Sequence, residues 1–194
     1  MLEVVVTRRG EVSQDVMDKE CHPGVVAIAA DVTDQVRMEA VVKEVEARFG
    51  IIKTLIYNAG SGVFKKYDSL TVAELEKSFA INTSGLLIAA KLCAPRMIEA
   101  GGGVIGITGA TAALRGKPFT AGFAPAKAAQ RMMAQSLARD LGPQVIQGQS
   151  QGQGHNIVGT SFCVASRSHY HNQSKSGPGL QLYFCNKNKN FNLF

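Results

Sequence analysis

Two kinds of hydrophobic pattern alternate along the first 143 residues of the chain. Short apolar runs rich in β-branched residues are typical of strands buried in a parallel sheet, and longer stretches with apolar residues every three or four positions indicate helices. The predicted strands are residues 2–7, 24–30, 53–57 and 101–108. Their alternation with helices predicts a doubly wound α/β sheet. Ligands of such sheets bind at the carboxyl ends of the strands.

Start and stop signals bound the first two helical regions. Thr33 is predicted to cap a helix that ends at Gly50. Thr71 and Glu74 form a T-x-x-E capping box for a second helical region, which extends to Ala100 with a break near Asn82. Both helices are expected to pack their apolar faces against the sheet.

The last helix is predicted to begin near Phe123 or Pro125 and to end at Leu141, where Gly142-Pro143 stops it. Beyond that point the composition changes to Gln, Gly, Ser, Asn and His. We therefore divide the chain into a domain at 1–143 and a basic tail at 144–194, which we expect to be poorly ordered or ordered only by docking. Two alternatives stay open: a last strand within 156–165, and a tail that follows a shifted reading frame.

Composition and charge limit the classes of function. The 194 residues suit one domain, and no apolar run is long enough to cross a membrane, so we expect a soluble, cytoplasmic protein. Of the net charge of +6, four positive charges lie after Asp140 without any acidic residue, which is too thin a patch to favour nucleic-acid binding. The four cysteines contain no C-x-x-C pair, and the Cys and His residues of the tail fit no zinc pattern, so no metal is predicted.

Four short motifs occur in order along residues 3–143: "ADVTD" at 30–34, "YNAG" at 57–60, "INTSG" at 81–85, and "ITGATAALRG" followed by "FAPAK", which ends at residue 127. With these motifs the chain resembles the short-chain dehydrogenase/reductase family. Each motif alone is weak, since an Asn-Ala-Gly triplet is often only a turn. The resemblance implies a Rossmann-like fold and hydride transfer between a nicotinamide cofactor and a carbonyl or alcohol carbon.

The resemblance also implies roles for particular residues. At the cofactor, the Asp31 carboxylate would bind the adenine amino group, the backbone of Val32 would hold the adenine ring, and the turn Asn58, Ala59 and Gly60 would lie beside the cofactor. In the catalytic centre, Asn82 would be the catalytic asparagine. Thr111 is the nearest hydroxyl to the family's serine position, with Thr108 as the fallback. Lys127 would contact the nicotinamide ribose and lower the pKa of a proton donor. For Asn82 and Lys127 the alternatives are an asparagine at a helix kink and a solvated helix lysine.

Two features depart from the family pattern at the cofactor end. The family's first strand and the Gly-rich turn after it should precede residues 2–7, so both are predicted to be missing. If residues 2–7 are the family's second strand, Arg8 and Arg9 lie where a positive charge would meet the 2′-phosphate of NADP. NADP is therefore the expected cofactor and NAD the alternative, although solvated loop arginines would explain the same residues.

The third departure is at the proton donor, because the position four residues before Lys127 is Phe123 and phenylalanine transfers no proton. Losing a general acid typically costs about 10²–10⁴-fold in rate. Two hypotheses follow. The chain is an NAD(P)-dependent oxidoreductase with an atypical site for a small carbonyl or alcohol substrate, or it is a pseudoenzyme, a non-catalytic relative that binds or dimerises. The helices at 83–100 and 123–141 would supply the apolar surface of a homo-oligomer.

Overall fold

The computed structural model describes residues 3–7, 25–145, 161–165 and 180–185. Its strands are β1 (Glu3–Thr7), β2 (Val25–Ala29), β3 (Ile52–Asn58), β4 (Val104–Thr108), β5 (Ser161–Ala165) and β6 (Leu180–Cys185). Its α-helices are α1 (Gln35–Phe49), α2 (Val72–Phe79), α3 (Gly85–Glu99) and α4 (Ala124–Val145). A π-helical turn, Ala80–Ser84, joins α2 to α3, and a 3₁₀ turn, Thr111–Ala113, follows β4.

The six strands form one sheet in the order β2-β1-β6-β3-β4-β5. All neighbours are parallel except β5, which runs antiparallel to β4. This confirms the doubly wound α/β class. In the usual order of such sheets the first strand lies between the second and the fourth. Here β6, from the C-terminal region of the chain, takes that central place, with Cys185 in register with both Thr7 and Asn58.

Both strands of the C-terminal region fall within residues 144–194, which the sequence predicts to be a poorly ordered tail. The strand β5 lies inside the stretch 156–165, where a last strand was the alternative. The strand β6 was not predicted. The rest of this region lies outside the residues that the structure describes, so its predicted disorder remains a prediction.

The core lies between the sheet and the helices that cover it. Helix α1 buries Met38, Val41, Val42 and Val45 at helical spacing. Helix α3 buries a face of mostly small residues: Gly85, Leu86, Ala89, Ala90, Cys93, Ala94 and Met97. Burial of each large apolar side chain contributes about 1.5–3 kcal/mol. Burial also raises the pKa of the Cys93 thiol, with a further contribution from Glu46, so Cys93 is a core residue and not a reactive thiol.

The predicted capping box and helix break are both confirmed. The Thr71 hydroxyl accepts from the Glu74 amide at 3.3 Å, and the Thr71 amide donates to the Glu74 carboxylate at 3.1 Å. Lys65 donates to the same carboxylate at 2.6 Å, and the pKa of Glu74 is lowered to about 2, chiefly by that bond and then by the Thr71 amide. The break near Asn82 is the π-helical turn itself.

Three predicted element boundaries are wrong. The N-cap of α1 is Asp34, whose carboxylate accepts from the Arg37 amide, because the Thr33 hydroxyl is bonded to Asp31. Strand β4 begins at Val104, since the preceding Gly101 and Gly102 have φ of 81° and 130° and form a turn. Helix α4 continues past Pro143 to Val145, because a proline so close to the helix end removes only one backbone hydrogen bond.

Candidate functional site

The Asn-Ala-Gly turn follows strand β3 at the carboxyl edge of the sheet. Asn58 is the last residue of the strand, and Ala59 is buried. The backbone of Gly60 then lies against two polar side chains: a Cβ atom at this position would be 3.2 Å from Asn82 Oδ1 and 3.4 Å from Lys127 Nζ. A larger residue at position 60 would require a shift of a few tenths of an ångström in Asn82, so glycine suits this close approach.

Asn82 lies in the π-helical turn and is completely buried. Its amide nitrogen donates to the carbonyls of Ser78 at 2.8 Å and Ser61 at 3.1 Å. Its Oδ1 atom has no hydrogen-bond partner within the described part of the chain. Asn82 thus ties the π-helical turn to the loop after β3 and leaves a buried acceptor beside Gly60.

The Lys127 side chain is only 5% exposed, although it belongs to a helix. Its ammonium donates to the Thr108 carbonyl at 3.0 Å and to Gln130 Oε1 at 2.8 Å. The alternative of a solvated helix lysine is therefore wrong. Thr108, the fallback for the hydroxyl position, contacts the lysine through its main-chain oxygen, which places the end of β4 against the site.

Gln130 is a member of this cluster that sequence analysis missed. It is 1% exposed, and its Nε2 atom has no partner among the residues that the structure describes. The available signal was its position three residues after Lys127, which puts both side chains on one face of α4. A glutamine on a helix face that packs inward needs a polar partner, and here that partner is the lysine.

Phe123 lies one helical turn before Lys127, and its carbonyl accepts from the Lys127 amide at 3.0 Å. Its ring contacts that of Phe64, with centroids 5.1 Å apart and planes tilted by 47°. Phe123 and Thr111 line a common cavity of about 210 Å³, to which Phe64 also contributes. Thr111 itself is exposed and begins the 3₁₀ turn after β4.

Asp31 follows strand β2 at the same edge of the sheet. Its Oδ1 atom accepts from the Thr33 amide at 3.0 Å and from the Thr33 hydroxyl at 2.7 Å, which fixes the orientation of the carboxylate. The Val32 side chain is buried and lies close to Gly85 at the start of α3. Asp31 and Val32, the predicted adenine contacts, thus lie in the hydrogen-bonded turn between β2 and α1.

Tyr57 connects the sheet to the π-helical turn. The side chain is completely buried, and its hydroxyl donates to the Ile81 carbonyl. Burial, and to a lesser degree the charge of Asp31, raises the pKa of Tyr57 well above its ordinary value. A phenol that is bonded in the core and resists ionisation is no substitute for the proton donor missing at Phe123.

We expect Tyr57→Phe to lower the free energy of unfolding by about 1–3 kcal/mol at neutral pH, because the buried Ile81 carbonyl loses its donor. The raised pKa sets the sign of the pH dependence. Above the ordinary pKa of 10.0 the unfolded state releases the phenol proton that the folded state keeps. The wild type therefore loses stability as pH rises, and the difference in unfolding free energy between the wild type and Tyr57→Phe becomes smaller. Denaturant titrations at neutral and alkaline pH measure both effects. Tyr67→Phe, at an 84% exposed position, is the control and should change neither.

Several sequence expectations fall elsewhere. Arg8 and Arg9 lie outside the described residues, so their proposed contact with a 2′-phosphate stays a prediction. The spacing of the Gly-rich turn, G-x-x-x-G-x-G, occurs once in the sequence, at residues 148–154, which the sequence analysis missed. It follows helix α4 instead of a strand, and it lies outside the described residues. Within the described ranges no group of three His, Cys, Asp or Glu is placed to hold a metal, and no helix is long and apolar enough to cross a membrane.

The doubly wound sheet, with Asn82, Gly60 and Lys127 close together at its carboxyl edge, defines a Rossmann-like α/β protein. The family model for short chain dehydrogenases matches residues 2–154. The chain belongs to the short-chain dehydrogenase/reductase family.

Individual relatives agree with this assignment. An uncharacterized short-chain type dehydrogenase/reductase of Sinorhizobium fredii is 30% identical over 127 residues, which cover 64% of this chain and 50% of the relative. The sorbitol dehydrogenase of Cereibacter sphaeroides is 34% identical over 123 residues, covering 63% and 48%. The apo form of LigO from Sphingobium sp. strain SYK-6 superposes with a TM-score of 0.68 at 28% identity, covering 74% and 54%. The chain thus spans about half the length of these relatives.

Proposed function

We propose that the chain binds NADP, with NAD as the alternative, and transfers hydride between the nicotinamide and the carbonyl or alcohol carbon of a small molecule at a site with Phe123 in the proton-donor position. The observation that carries this proposal is the buried cluster at the carboxyl edge of the sheet. Lys127 is held in it by neutral oxygens of Thr108 and Gln130. Burial of an ammonium costs solvation free energy, so a lysine held in a polar cluster at this edge of the sheet favours a functional role.

The residues present fit the nicotinamide end of a dinucleotide. Asn82 offers a buried acceptor without a described partner, and Gly60 leaves the space that a side chain would fill. Lys127 would bind the ribose hydroxyls, and the turn Asn58, Ala59 and Gly60 would line the cofactor. At the other end, Asp31 and the backbone of Val32 would hold the adenine, and Arg8 the 2′-phosphate.

The cofactor, when bound, supplies or accepts the hydride. The chain has to orient the substrate oxygen and manage its proton. Thr111 would donate a hydrogen bond to that oxygen from the wall of the cavity it shares with Phe123. The Lys127 ammonium would favour the negative charge that develops on the oxygen, and water would carry the proton in place of the missing phenol. This relay is slower than transfer from a side chain, so the proposal includes a low turnover number.

Dinucleotide binding tests the proposal directly. We expect Lys127→Met to weaken NADPH binding by about 10- to 100-fold, because a hydrogen bond from a charged donor is lost. Calorimetric titration of the purified chain measures this. Lys91→Met removes a charge from an exposed position of α3 and should leave the affinity unchanged. The absence of NADPH binding to the wild type at millimolar concentration would reject the oxidoreductase proposal.

The second candidate is a non-catalytic relative that binds or dimerises through residues 83–100 and 123–141. Two exposed apolar side chains favour it: Leu87 on α3 is 38% exposed and Met132 on α4 is 47% exposed. Phe123 also suits a site without chemistry. Self-association in sedimentation equilibrium, together with no dinucleotide binding, would favour this candidate over the first.

A further inference from the structure

The cavity beside Phe123 combines an aromatic wall with two cations. Phe64, Phe119 and Phe123 contribute rings, and Arg115 and Lys117 line the same space. Both cationic residues are exposed, so they belong to the solvent-facing part of the lining and not to the core. Thr111, the hydroxyl expected to orient the reacting oxygen, also lines this cavity.

Nothing on the described part of the molecule neutralises these two cations. The sequence holds no Asp or Glu between Glu99 and Asp140, a stretch that includes Arg115 and Lys117. No carboxylate lines the cavity, and neither side chain forms an ion pair with a described residue. Adjacent unpaired cations on a short loop repel each other, and an anion placed between them would relieve that repulsion.

The size of the cavity restricts what else the ligand carries. An apolar cavity of about 150 Å³ holds a benzene molecule. The cavity here, at about 210 Å³, therefore suits one ring with small substituents. Edge or offset contacts with Phe64 and Phe123, which already pack against each other, favour an aromatic ring over a flexible alkyl chain.

We propose that the substrate is a ring-containing carbonyl compound or alcohol that bears a carboxylate, with the ring against the three phenylalanines and the carboxylate bound by Arg115 and Lys117. This inference rests on the proposed function for the reacting group, but the binding of the ring and the anion does not depend on hydride transfer. The planar guanidinium of Arg115 matches a carboxylate with two parallel hydrogen bonds, and Lys117 adds a point charge.

The probe is benzoate, compared with benzamide, which has nearly the same shape and no charge. Ligand-observed saturation-transfer NMR and calorimetry on the full chain, without dinucleotide, measure both. We expect benzoate to bind at least about tenfold more tightly than benzamide, the discrimination that one charge-assisted contact supplies. We expect this preference to shrink at high salt, because the cations are exposed.

Variants assign the preference to the two cations. Arg115→Gln and Lys117→Gln should each remove most of the benzoate preference, whereas Lys91→Gln, a charge removed from an exposed position of α3, should leave it intact. Equal binding of benzoate and benzamide, no binding of either, or a preference that survives in the Arg115→Gln/Lys117→Gln double variant would each overturn the proposal. Because the probes carry no reducible carbonyl and no cofactor is added, these outcomes are separate from the NADPH test of the proposed function.

Discussion

Phe123→Tyr is expected to raise the turnover number for NADPH-dependent reduction of small aldehydes by about 10²-fold or more, because it restores a general acid to a site that otherwise depends on water. The new phenol would lie at the residue before α4, one helical turn before Lys127 and on the same side as its side chain. The ammonium of Lys127 would lower its pKa. The cavity that Phe123 shares with Thr111 leaves room for the added oxygen. Measuring NADPH oxidation by absorbance over a panel of aldehydes, with and without a ring carboxylate, reports the gain.

Val36→Tyr is the control for this gain. It adds a phenol at a 79% exposed position of α1 that does not line the cavity. A nonspecific effect of a new hydroxyl would raise turnover in both variants. If NADPH binds to Phe123→Tyr and turnover stays at the wild-type level, Thr111, Asn82 and Lys127 are not assembled for proton transfer, and the non-catalytic candidate gains support.

The helix and strand types of residues 25–143 were readable from the sequence because they rest on local physics. The periodicity of apolar residues predicts α1, and the T-x-x-E spacing of Thr71 and Glu74 predicts the capping box. The boundaries failed where a nearby group competed for the same atom. The Thr33 hydroxyl does not cap α1 because it donates a hydrogen bond to the Asp31 carboxylate instead. The pattern of apolar residues gives no information about which of these two hydrogen bonds forms.

The sequence predicts only those residues of the site that belong to the family motifs. Asn82, Gly60 and Lys127 come from different parts of the chain, and the motifs named all of them. Gln130 belongs to no motif, and Tyr57 begins the YNAG motif without a role assigned to it. Their roles follow from packing: Gln130 accepts from Lys127 because both are buried on α4, and the Tyr57 hydroxyl donates to the Ile81 carbonyl of the π-helical turn. Such contacts depend on which element covers which, and a single sequence does not state this.

The strand β6 shows the same limit at the level of topology. Its sequence, Leu180–Cys185, is one short apolar run in a region of polar composition, and nothing local marks it as a central strand. The position of β6 in the sheet is determined by pairing with strands that are distant in the sequence. Without β6, β1 and β3 would each have an unpaired edge facing the same gap in the sheet. In this structure the position between β1 and β3 is therefore occupied by a strand from the C-terminal region.

Truncation after Gly179 is accordingly expected to abolish the cooperative unfolding transition. Without β6 the sheet separates into β2-β1 and β3-β4-β5, and the backbone groups of β1 and β3 that face the slot lose their partners. The loss of two ladders at the centre of a sheet exceeds what a domain with a typical total stability of about 5–15 kcal/mol withstands.

Truncation after Cys185 keeps β6 and serves as the control. Circular dichroism through a denaturant titration distinguishes the two chains. Equal midpoints would mean that β6 contributes nothing to the fold, and the site would then rest on β3, β4 and the helices alone. A weaker transition only in the shorter chain would instead make the C-terminal region a structural requirement for the candidate cofactor edge, because Cys185 is paired beside Asn58 at the point where that edge begins.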